Sequence, residues 1–235
     1  MRDCFGIETS HAEIRRWSEL TTEIVSDWAL RPYNPDSDQW DGAEEHFFKN
    51  HFPIEREELH GKIVMELGCG TGRNAAVVMR HADQYVGLDI SVPSVALANQ
   101  VFSRSHGFVD FYHTVYDADL MTAFEGRMGF VFGKYFFNHQ PKERIAPMAA
   151  FAHRMLQPGG TLVIDRSRDL ADLDPIEGEW VPGERWTGFV IEREWYVEML
   201  AALGFGGIRF VQSELYVKRV ERRDVLELVL ATKEQ

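Results

Sequence analysis

Residues 64–72 read VMELGCGTG, so an apolar run leads directly into three glycines at alternate positions. Glycine has no side chain, and a turn built from it lets the backbone come close to a ligand. Glu66 lies just ahead of the glycines, where a carboxylate favours a cationic ligand over a pyrophosphate. Arg73 occupies the sixth position of the pattern, where the dinucleotide-binding fingerprint has Gly or Ala. The loop therefore indicates a closely bound ligand, and its charged neighbours disfavour a dinucleotide.

Acidic residues follow the next two apolar runs. Asp89 closes the run at 85–88, and Asp117 follows the run at 109–115. A carboxylate at the end of the second strand of such a fold can accept hydrogen bonds from both hydroxyls of a ribose. We therefore expect Asp89 to bind a ribose, the alternative being a helix cap or a solvated side chain.

Short apolar runs alternate with helical segments from residue 61 onward. Runs of strand character lie at 62–67, 85–88, 109–115, 129–133 and 161–164. Strands that alternate with helices form a parallel sheet with helices on both faces, which predicts an α/β fold. The last two β-rich runs, at 208–217 and 225–231, have no helix between them and must pair antiparallel.

The first 60 residues have helical character and lack the strand pattern. Ser10 and Glu13 have the spacing of a capping box, and apolar residues then recur at helical intervals. We predict a helical cap at 1–60 and a sheet core at 61–235. Residues 165–190, an acidic and loop-like stretch, form a predicted lid insertion in that core.

The amino-acid composition limits which classes of binding partner and which cellular compartment we expect for the protein. Its 235 residues carry 37 acidic and 25 basic side chains, a formal net charge of −12. A surface for a phosphate backbone or an anionic membrane would need a basic face, so we expect neither nucleic acid nor membrane partners. Two cysteines, no signal-peptide pattern and no long apolar run predict a cytoplasmic protein. Because the sequence contains no metal-ligand motif, we expect no metal. The oligomeric state stays open.

Four motifs in this order resemble those of the class I S-adenosylmethionine-dependent methyltransferases of small molecules. They are ELGCGTG at 66–72, GLDIS at 87–91, DADL at 117–120 and LQPGGTL at 156–162. The resemblance covers about residues 60–235. It implies a Rossmann-like, seven-stranded, mostly parallel sheet with helices on both faces and an antiparallel last strand. It also implies S-adenosylmethionine as cofactor and S-adenosylhomocysteine as its product.

The resemblance assigns contacts with the cofactor to residues of these motifs. The glycine loop would lie against the methionine moiety, which Tyr33 would cover. Asp89 would hold the ribose, and Ile90 would pack on the adenine. The adenine amino group would donate to Asp117. The cofactor-binding residues implied in this way are Glu66, Gly68, Cys69, Gly70, Gly72, Asp89, Ile90, Asp117, Ala118 and Tyr33.

The segment KYFFNHQP at 134–141 resembles the part of the family that reaches over the cofactor toward the substrate. An imidazole titrates near neutral pH, so His139 is the candidate catalytic base for a hydroxyl or a protonated amine. The alternative is a histidine that caps the helix beginning at Pro141 or is hydrogen-bonded in the wall. The preceding strand lacks the leading Asp that many members carry. No Asn/Asp-Pro-Pro-Tyr/Phe segment follows it, which disfavours the amino-group DNA and protein-glutamine methyltransferases.

Aromatic residues of the cap, of the segment 134–141 and of the insertion are expected to line a substrate pocket at the carboxyl ends of the strands. Core or lid packing is the alternative for each of them. Arg166 could pair with an anionic group of the substrate, or with Asp165 or Asp169 instead. The predicted substrate residues are Tyr135, Phe136, Trp17, Arg166, Trp180 and Trp186.

These features together predict an enzyme that transfers a methyl group to an oxygen or nitrogen atom of a small molecule, such as a specialised metabolite. Three alternatives stay open. They are a methyltransferase of protein or peptide side chains, a nicotinamide-dependent oxidoreductase, and a non-catalytic cofactor-binding module.

Overall fold

One seven-stranded sheet organises the part of the chain that the computed structural model describes, which is residues 1–28, 44–45, 47–49, 51–105, 108–167, 189, 191–212 and 226–234. The strands are β1 (Ile63–Leu67), β2 (Gln84–Asp89), β3 (Val109–His113), β4 (Met128–Gly133), β5 (Leu156–Ser167), β6 (Phe205–Gln212) and β7 (Leu226–Lys233). The α-helices are α1 (His11–Trp28), α2 (Ala75–Val78), α3 (Val92–Val101), α4 (Lys142–Met155) and α5 (Arg193–Ala202). Short 3-10 helices lie at Arg56–Leu59, Ser103–Ser105, Ala118–Phe124 and Phe137–His139.

The strand order across the sheet is β3-β2-β1-β4-β5-β7-β6. The first five of these strands are parallel to one another, and β7 is antiparallel to both of its neighbours. The fold class predicted from the sequence is therefore confirmed, including the antiparallel pairing of the last two strands.

The register brings four loops to one edge of the sheet. Leu67 at the end of β1 pairs with Leu88 of β2 on one side and with Gly133 of β4 on the other. Asp89 at the end of β2 pairs with His113 at the end of β3. Because these strands are parallel, the loops that follow them all leave the sheet at its carboxyl edge, where open α/β sheets bind their ligands.

Side chains of β1 alternate between two buried layers, as the pleat of a strand requires. Met65 and Leu67 pack in the layer that contains α4 and α5, whereas Val64 packs in the opposite layer. In that opposite layer the Phe52 ring lies 4.7 Å from the Phe132 ring, between centroids. The aromatic residues near position 52 thus contribute to the sheet core, and the division of the chain at residue 60 stays a prediction.

Helix α1 begins where its capping residues predict and is tied to the core by an ion pair. The backbone N–H of Glu13 donates to Ser10 Oγ at 3.1 Å, a bond that satisfies one free donor of the first turn. The Glu13 carboxylate then accepts two bonds, at 2.5 and 3.1 Å, from the guanidinium of Arg144 in α4. Both side chains are largely buried, so this pair fixes the start of α1 against α4.

A buried carboxylate between two arginines joins β5, β7 and α5. Glu227 of β7 is fully buried and accepts hydrogen bonds from both Arg166 of β5 and Arg193 of α5. Arg166 also donates to the backbone oxygen of Ile191 at 3.0 Å. A buried charge is tolerated only when it is paired and hydrogen-bonded, and Glu227 satisfies this condition through its two partners.

We expect the substitution Glu227→Gln to destabilise the protein by about 3 kcal/mol, because it leaves buried Arg166 without a counter-charge. Urea unfolding followed by circular dichroism measures this free energy. The control is Glu192→Gln, which removes an exposed carboxylate that pairs with Lys142 at 2.8 Å and should leave the midpoint close to that of the wild type. Equal urea midpoints for Glu227→Gln and Glu192→Gln would show that the pairing of Glu227 with the two arginines does not stabilise the fold.

Candidate functional site

The glycine loop after β1 has a backbone that side chains rarely allow. Gly68, Gly70 and Gly72 have φ angles of +73°, +55° and +77°, which lie in the left-handed region. A Cβ atom at Gly68 would collide with the Phe136 ring, and one at Gly72 would lie 2.5 Å from the Phe111 ring. At Gly70, by contrast, a Cβ atom would meet nothing within 4 Å. Gly70 is thus the member of the loop that faces open space, where a ligand can approach the backbone.

Cys69 lies between Gly68 and Gly70 in this loop, and its side chain packs against β2. Only its backbone is therefore available on the open side of the loop. The side chain is buried, and a Cβ atom at Gly87 of β2 would lie 2.8 Å from Cys69 Sγ. Burial raises the pKa of the Cys69 thiol well above its usual value, with Asp89 and Glu66 adding to the effect. The thiol is therefore a packing group beneath the loop.

Asp89 links the glycine loop to the loop after β2. Its Oδ2 accepts from the backbone N–H of Gly70 at 2.8 Å, and its Oδ1 accepts from the backbone N–H of Ser91 at 2.7 Å. Burial raises the pKa of Asp89, although these two bonds act in the opposite direction. Each carboxylate oxygen has a second lone pair, so Asp89 can accept ribose hydroxyls while it holds the two loops.

The loop after β3 places Asp117 and Ala118 next to the loop that carries Ile90. Asp117 Oδ2 accepts from the backbone N–H of His113 at 2.7 Å. Its Oδ1 has no hydrogen-bond partner among the described residues, and Asp117, Ala118 and Ile90 are all partly exposed. The structure therefore leaves one carboxylate oxygen able to accept from the amino group of an adenine.

Glu66 lies in β1, next to the glycine loop, and both of its oxygens accept hydrogen bonds from protein groups. Its carboxylate accepts from the Tyr85 hydroxyl and, at 2.6 Å, from Asn74 Nδ2. Lys134 Nζ in turn donates to Asn74 Oδ1 at 3.4 Å. Burial raises the pKa of Glu66 to about 7 and lowers the pKa of Lys134 to about 8. The attraction between the two charges shifts both pKa values in the opposite direction, but burial has the larger effect. Glu66 thus supports the loop from below, with 1% of its surface exposed.

The segment after β4 is held by a buried carboxylate of β5. Asp165 accepts from the backbone N–H groups of Phe136 at 3.2 Å and of Phe137 at 2.9 Å. Tyr135 has a φ of +53° and is 43% exposed, whereas the Phe136 ring packs on Gly68. Burial raises the pKa of Asp165 to about 7, although its backbone hydrogen bonds oppose this. Asp165, the carboxylate that positions this segment, was not predicted from the sequence.

Residues 64–160 match the protein family described as Methyltransferase domain. The match runs from β1 into β5 and covers less than half of the chain. These residues are similar in sequence to a methyltransferase domain. The prediction of a methyltransferase fold is thereby confirmed for this part of the chain. An open Gly70 beside two carboxylates at neighbouring strand ends fits an adenosyl ligand.

A curated relative and two solved structures are similar to this chain. The relative is 2-heptyl-1-hydroxyquinolin-4(1H)-one methyltransferase of Mycobacteroides abscessus, 27% identical over 124 residues. That stretch covers 52% of this chain and 54% of the relative, so the match spans about half the length of each. The structure of the (4+2)-cyclase SpnF has a TM-score of 0.65 at 17% identity and covers 97% of this chain and 98% of its own. The structure of magnesium protoporphyrin IX methyltransferase from Synechocystis, with S-adenosylmethionine bound, has a TM-score of 0.61 at 14% identity. The match covers 97% of this chain and 100% of that protein.

The described residues include some of the predicted catalytic and substrate residues. His139 ends the short helix Phe137–His139 and is partly buried. Trp17 is partly buried in α1. Arg166 is 3% exposed and its charge is paired with Glu227, a partner 61 residues away that the sequence did not suggest. Tyr33, Trp180 and Trp186 lie outside the described residues.

Several groups that shape the candidate site were not predicted. Asn74 could have been found from its place directly after the glycine loop, and Lys134 from its place directly after β4. Tyr85 and Asp165 act across the sheet and have no local signal. Among the described residues, no three His, Cys, Asp or Glu side chains are grouped as a metal site would need. No described helix has both the length and the apolar composition of a membrane-spanning segment.

The raised pKa of Asp165 predicts a pH-dependent stability for the protein. An Asp in an unfolded chain has a pKa of about 3.9, whereas folded Asp165 keeps its proton up to about pH 7. The unfolded state therefore loses a proton first, and the contribution of Asp165 to the unfolding free energy falls as the pH rises from about 4 to about 7. In Asp165→Asn, the unfolding free energy should decline less over this window than in the wild type.

Urea midpoints measured at intervals between pH 4 and pH 8 check this prediction. The variant Asp119→Asn, which makes the same substitution at an exposed position, is the control for a general effect of replacing Asp by Asn. Parallel curves for the wild type and Asp165→Asn would show that Asp165 is ionised throughout.

Proposed function

We propose that this protein transfers the methyl group of S-adenosylmethionine to an oxygen or nitrogen atom of a small molecule. One arrangement carries the proposal: the open side of Gly70, the Asp89 carboxylate bonded to it, and the available oxygen of Asp117 lie at three neighbouring strand ends. These groups match the methionine, ribose and adenine parts of one cofactor in the order in which the strands lie.

The residues of the chain would act mainly by binding and orientation. The bound cofactor supplies a methyl group already activated by a positively charged sulfur. Asp89 and Asp117 would hold the adenosine, and the backbone at Gly70 would hold the methionine part. The segment 134–141, fixed by Asp165, would place the acceptor in line with the methyl group. His139 on this segment is the proposed base for an acceptor that must lose a proton.

A small-molecule acceptor is supported by the charge and by the relatives. The net charge of −12 disfavours a phosphate backbone as partner. The curated relative is named for a hydroxyquinolinone, and one solved neighbour is named for magnesium protoporphyrin IX, both of them small molecules. We propose that the segments 1–60 and 165–190 cover the acceptor, with Trp17, Tyr135 and Phe136 among the lining residues. The free thiols of Cys4 and Cys69 support a reducing compartment such as the cytoplasm.

Binding of S-adenosylhomocysteine, measured by isothermal titration calorimetry, tests the cofactor site. The substitution Gly70→Ala adds a methyl group to the open side of the loop, and it should weaken binding at least about tenfold, a change of 1.4 kcal/mol. The matched control is Gly126→Ala, because Gly126 also has a positive φ, +70°, and open space around a Cβ atom but lies before β4. Both variants should lose similar stability, and only Gly70→Ala should lose affinity.

Two outcomes of this titration would argue against the proposal. One is equal affinity in Gly70→Ala and Gly126→Ala, which would place the ligand elsewhere. The other is tight binding of NADH by the wild type without binding of S-adenosylhomocysteine, which would favour the oxidoreductase alternative.

Transfer of a labelled methyl group to cell extract tests the reaction itself and the role of His139. This assay is needed because a cyclase shares the fold, and fold alone does not define a reaction. We expect label in the small-molecule fraction, and with that acceptor we expect His139→Ala to lower turnover about a hundredfold. Label in the protein fraction would favour a side-chain methyltransferase, and no label in either fraction would favour a non-catalytic module. Wild-type turnover in His139→Ala at all pH values would exclude His139 as base.

A further inference from the structure

His113 joins the two loops that would enclose the adenine. It ends β3 opposite Asp89 of β2, and its side chain is 4% exposed. Its Nε2 lies 2.7 Å from the backbone oxygen of Ile90, in the loop after β2. Its Nδ1 lies 3.1 and 3.2 Å from the backbone nitrogens of Val115 and Tyr116, in the loop after β3. One imidazole ring therefore spans the gap between the two loops.

The partners of the His113 ring fix its protonation state. A carbonyl oxygen only accepts, so Nε2 must carry a proton and donate it to Ile90. Backbone N–H groups only donate, so Nδ1 must carry a lone pair and accept from Val115 and Tyr116. Burial, the largest influence on the pKa of His113, lowers it and thus also favours the neutral ring. All the ring nitrogens are satisfied within the protein, and the ring has no capacity left for a ligand of its own.

The same residue also fixes the two groups that would contact the adenine. The backbone N–H of His113 donates to Asp117 Oδ2 at 2.7 Å, and this bond leaves Asp117 Oδ1 available. The Tyr116 ring stacks on the imidazole at 4.4 Å between centroids, and the chain then continues into Asp117. Ile90 on one side and Asp117 on the other are therefore both positioned relative to a single residue.

We propose that His113 is a positioning residue that sets the spacing between Ile90 and Asp117, and so selects an adenine base by its amino group. This inference rests on the proposed function, because it takes an adenosyl thioether or sulfonium as the ligand. The ring acts through the two loops and does not touch the ligand. Removal of the ring frees the loops to separate, and Asp117 Oδ1 then no longer lies where the amino group of the base donates to it.

Titrations with two ligands that differ only at the base test this inference. S-adenosylhomocysteine has an amino group that donates to Asp117, whereas S-inosylhomocysteine has a carbonyl oxygen in its place. The wild type should prefer S-adenosylhomocysteine by at least about tenfold, and His113→Ala should reduce this preference to about threefold or less. A merely structural role of His113 would weaken both ligands by the same factor and leave the preference unchanged.

Two further variants make the titration specific. In His113→Asn, the side-chain oxygen can take the place of Nδ1 and accept from Val115 and Tyr116, but the bond to Ile90 is lost, so the preference should lie between those of His113→Ala and the wild type. His153→Ala removes another partly buried histidine, whose ring packs 5.0 Å from that of Phe205 in β6, far from the cofactor loops. This control should keep the wild-type preference even if it lowers stability.

The outcomes separate the inference from the proposed function. If the wild type binds neither ligand, the proposed function fails and the inference fails with it. If the wild type prefers S-adenosylhomocysteine and His113→Ala keeps that preference, only the inference is overturned. ¹⁵N spectra of the imidazoles in the wild type give a test that does not depend on the folding of a variant. They should show His113 protonated at Nε2 only. Protonation at Nδ1 would overturn the inference.

Discussion

Asp89 joins two loops that parallel strands bring to the same edge of the sheet. Its two oxygens accept from Gly70 after β1 and from Ser91 after β2, at 2.8 and 2.7 Å. Both bonds require the register in which the ends of the two strands lie side by side. The positive φ angles of the glycines are needed for the same reason, since they turn the Gly70 N–H back toward the carboxylate. The sheet register and the shape of the glycine loop are therefore both needed to place Asp89 where it can also bind a ligand.

Buried polar groups hold this arrangement from below and from the side. Glu66, Asn74 and Tyr85 form a hydrogen-bonded group under the glycine loop, and Asp165 plays the corresponding part for the segment after β4. Taking carboxylates out of water is unfavourable, and the raised pKa values of Glu66 and Asp165 reflect this. Such groups fix one conformation of a loop because any other conformation would leave a buried acceptor unpaired.

Local spacing in the sequence was sufficient for the features that neighbouring residues determine. The glycine pattern at 68–72, Asp89 at the end of an apolar run and the antiparallel pairing of the last two strands were all predictable in this way. The start of α1 was predictable as well, because Ser10 and Glu13 lie within one turn.

Features that depend on distant pairs were not predictable from spacing. Arg166 meets Glu227 across 61 positions, and Asp165 meets Phe137 across 28, so each contact exists only once the sheet is assembled. His113 is one of nine histidines, and nothing in its neighbourhood in the sequence distinguishes it. Only the pairing of β2 with β3 places it between the loops that carry Ile90 and Asp117.

A crystal structure of the protein with S-adenosylhomocysteine shows whether the ends of β1, β2 and β3 bind this ligand. We expect both ribose hydroxyls to donate to Asp89, the methionine part to lie against the open side of Gly70, and the adenine amino group to donate to Asp117. A ligand bound away from these three strand ends, or ribose hydroxyls without contact to Asp89, would contradict this expectation.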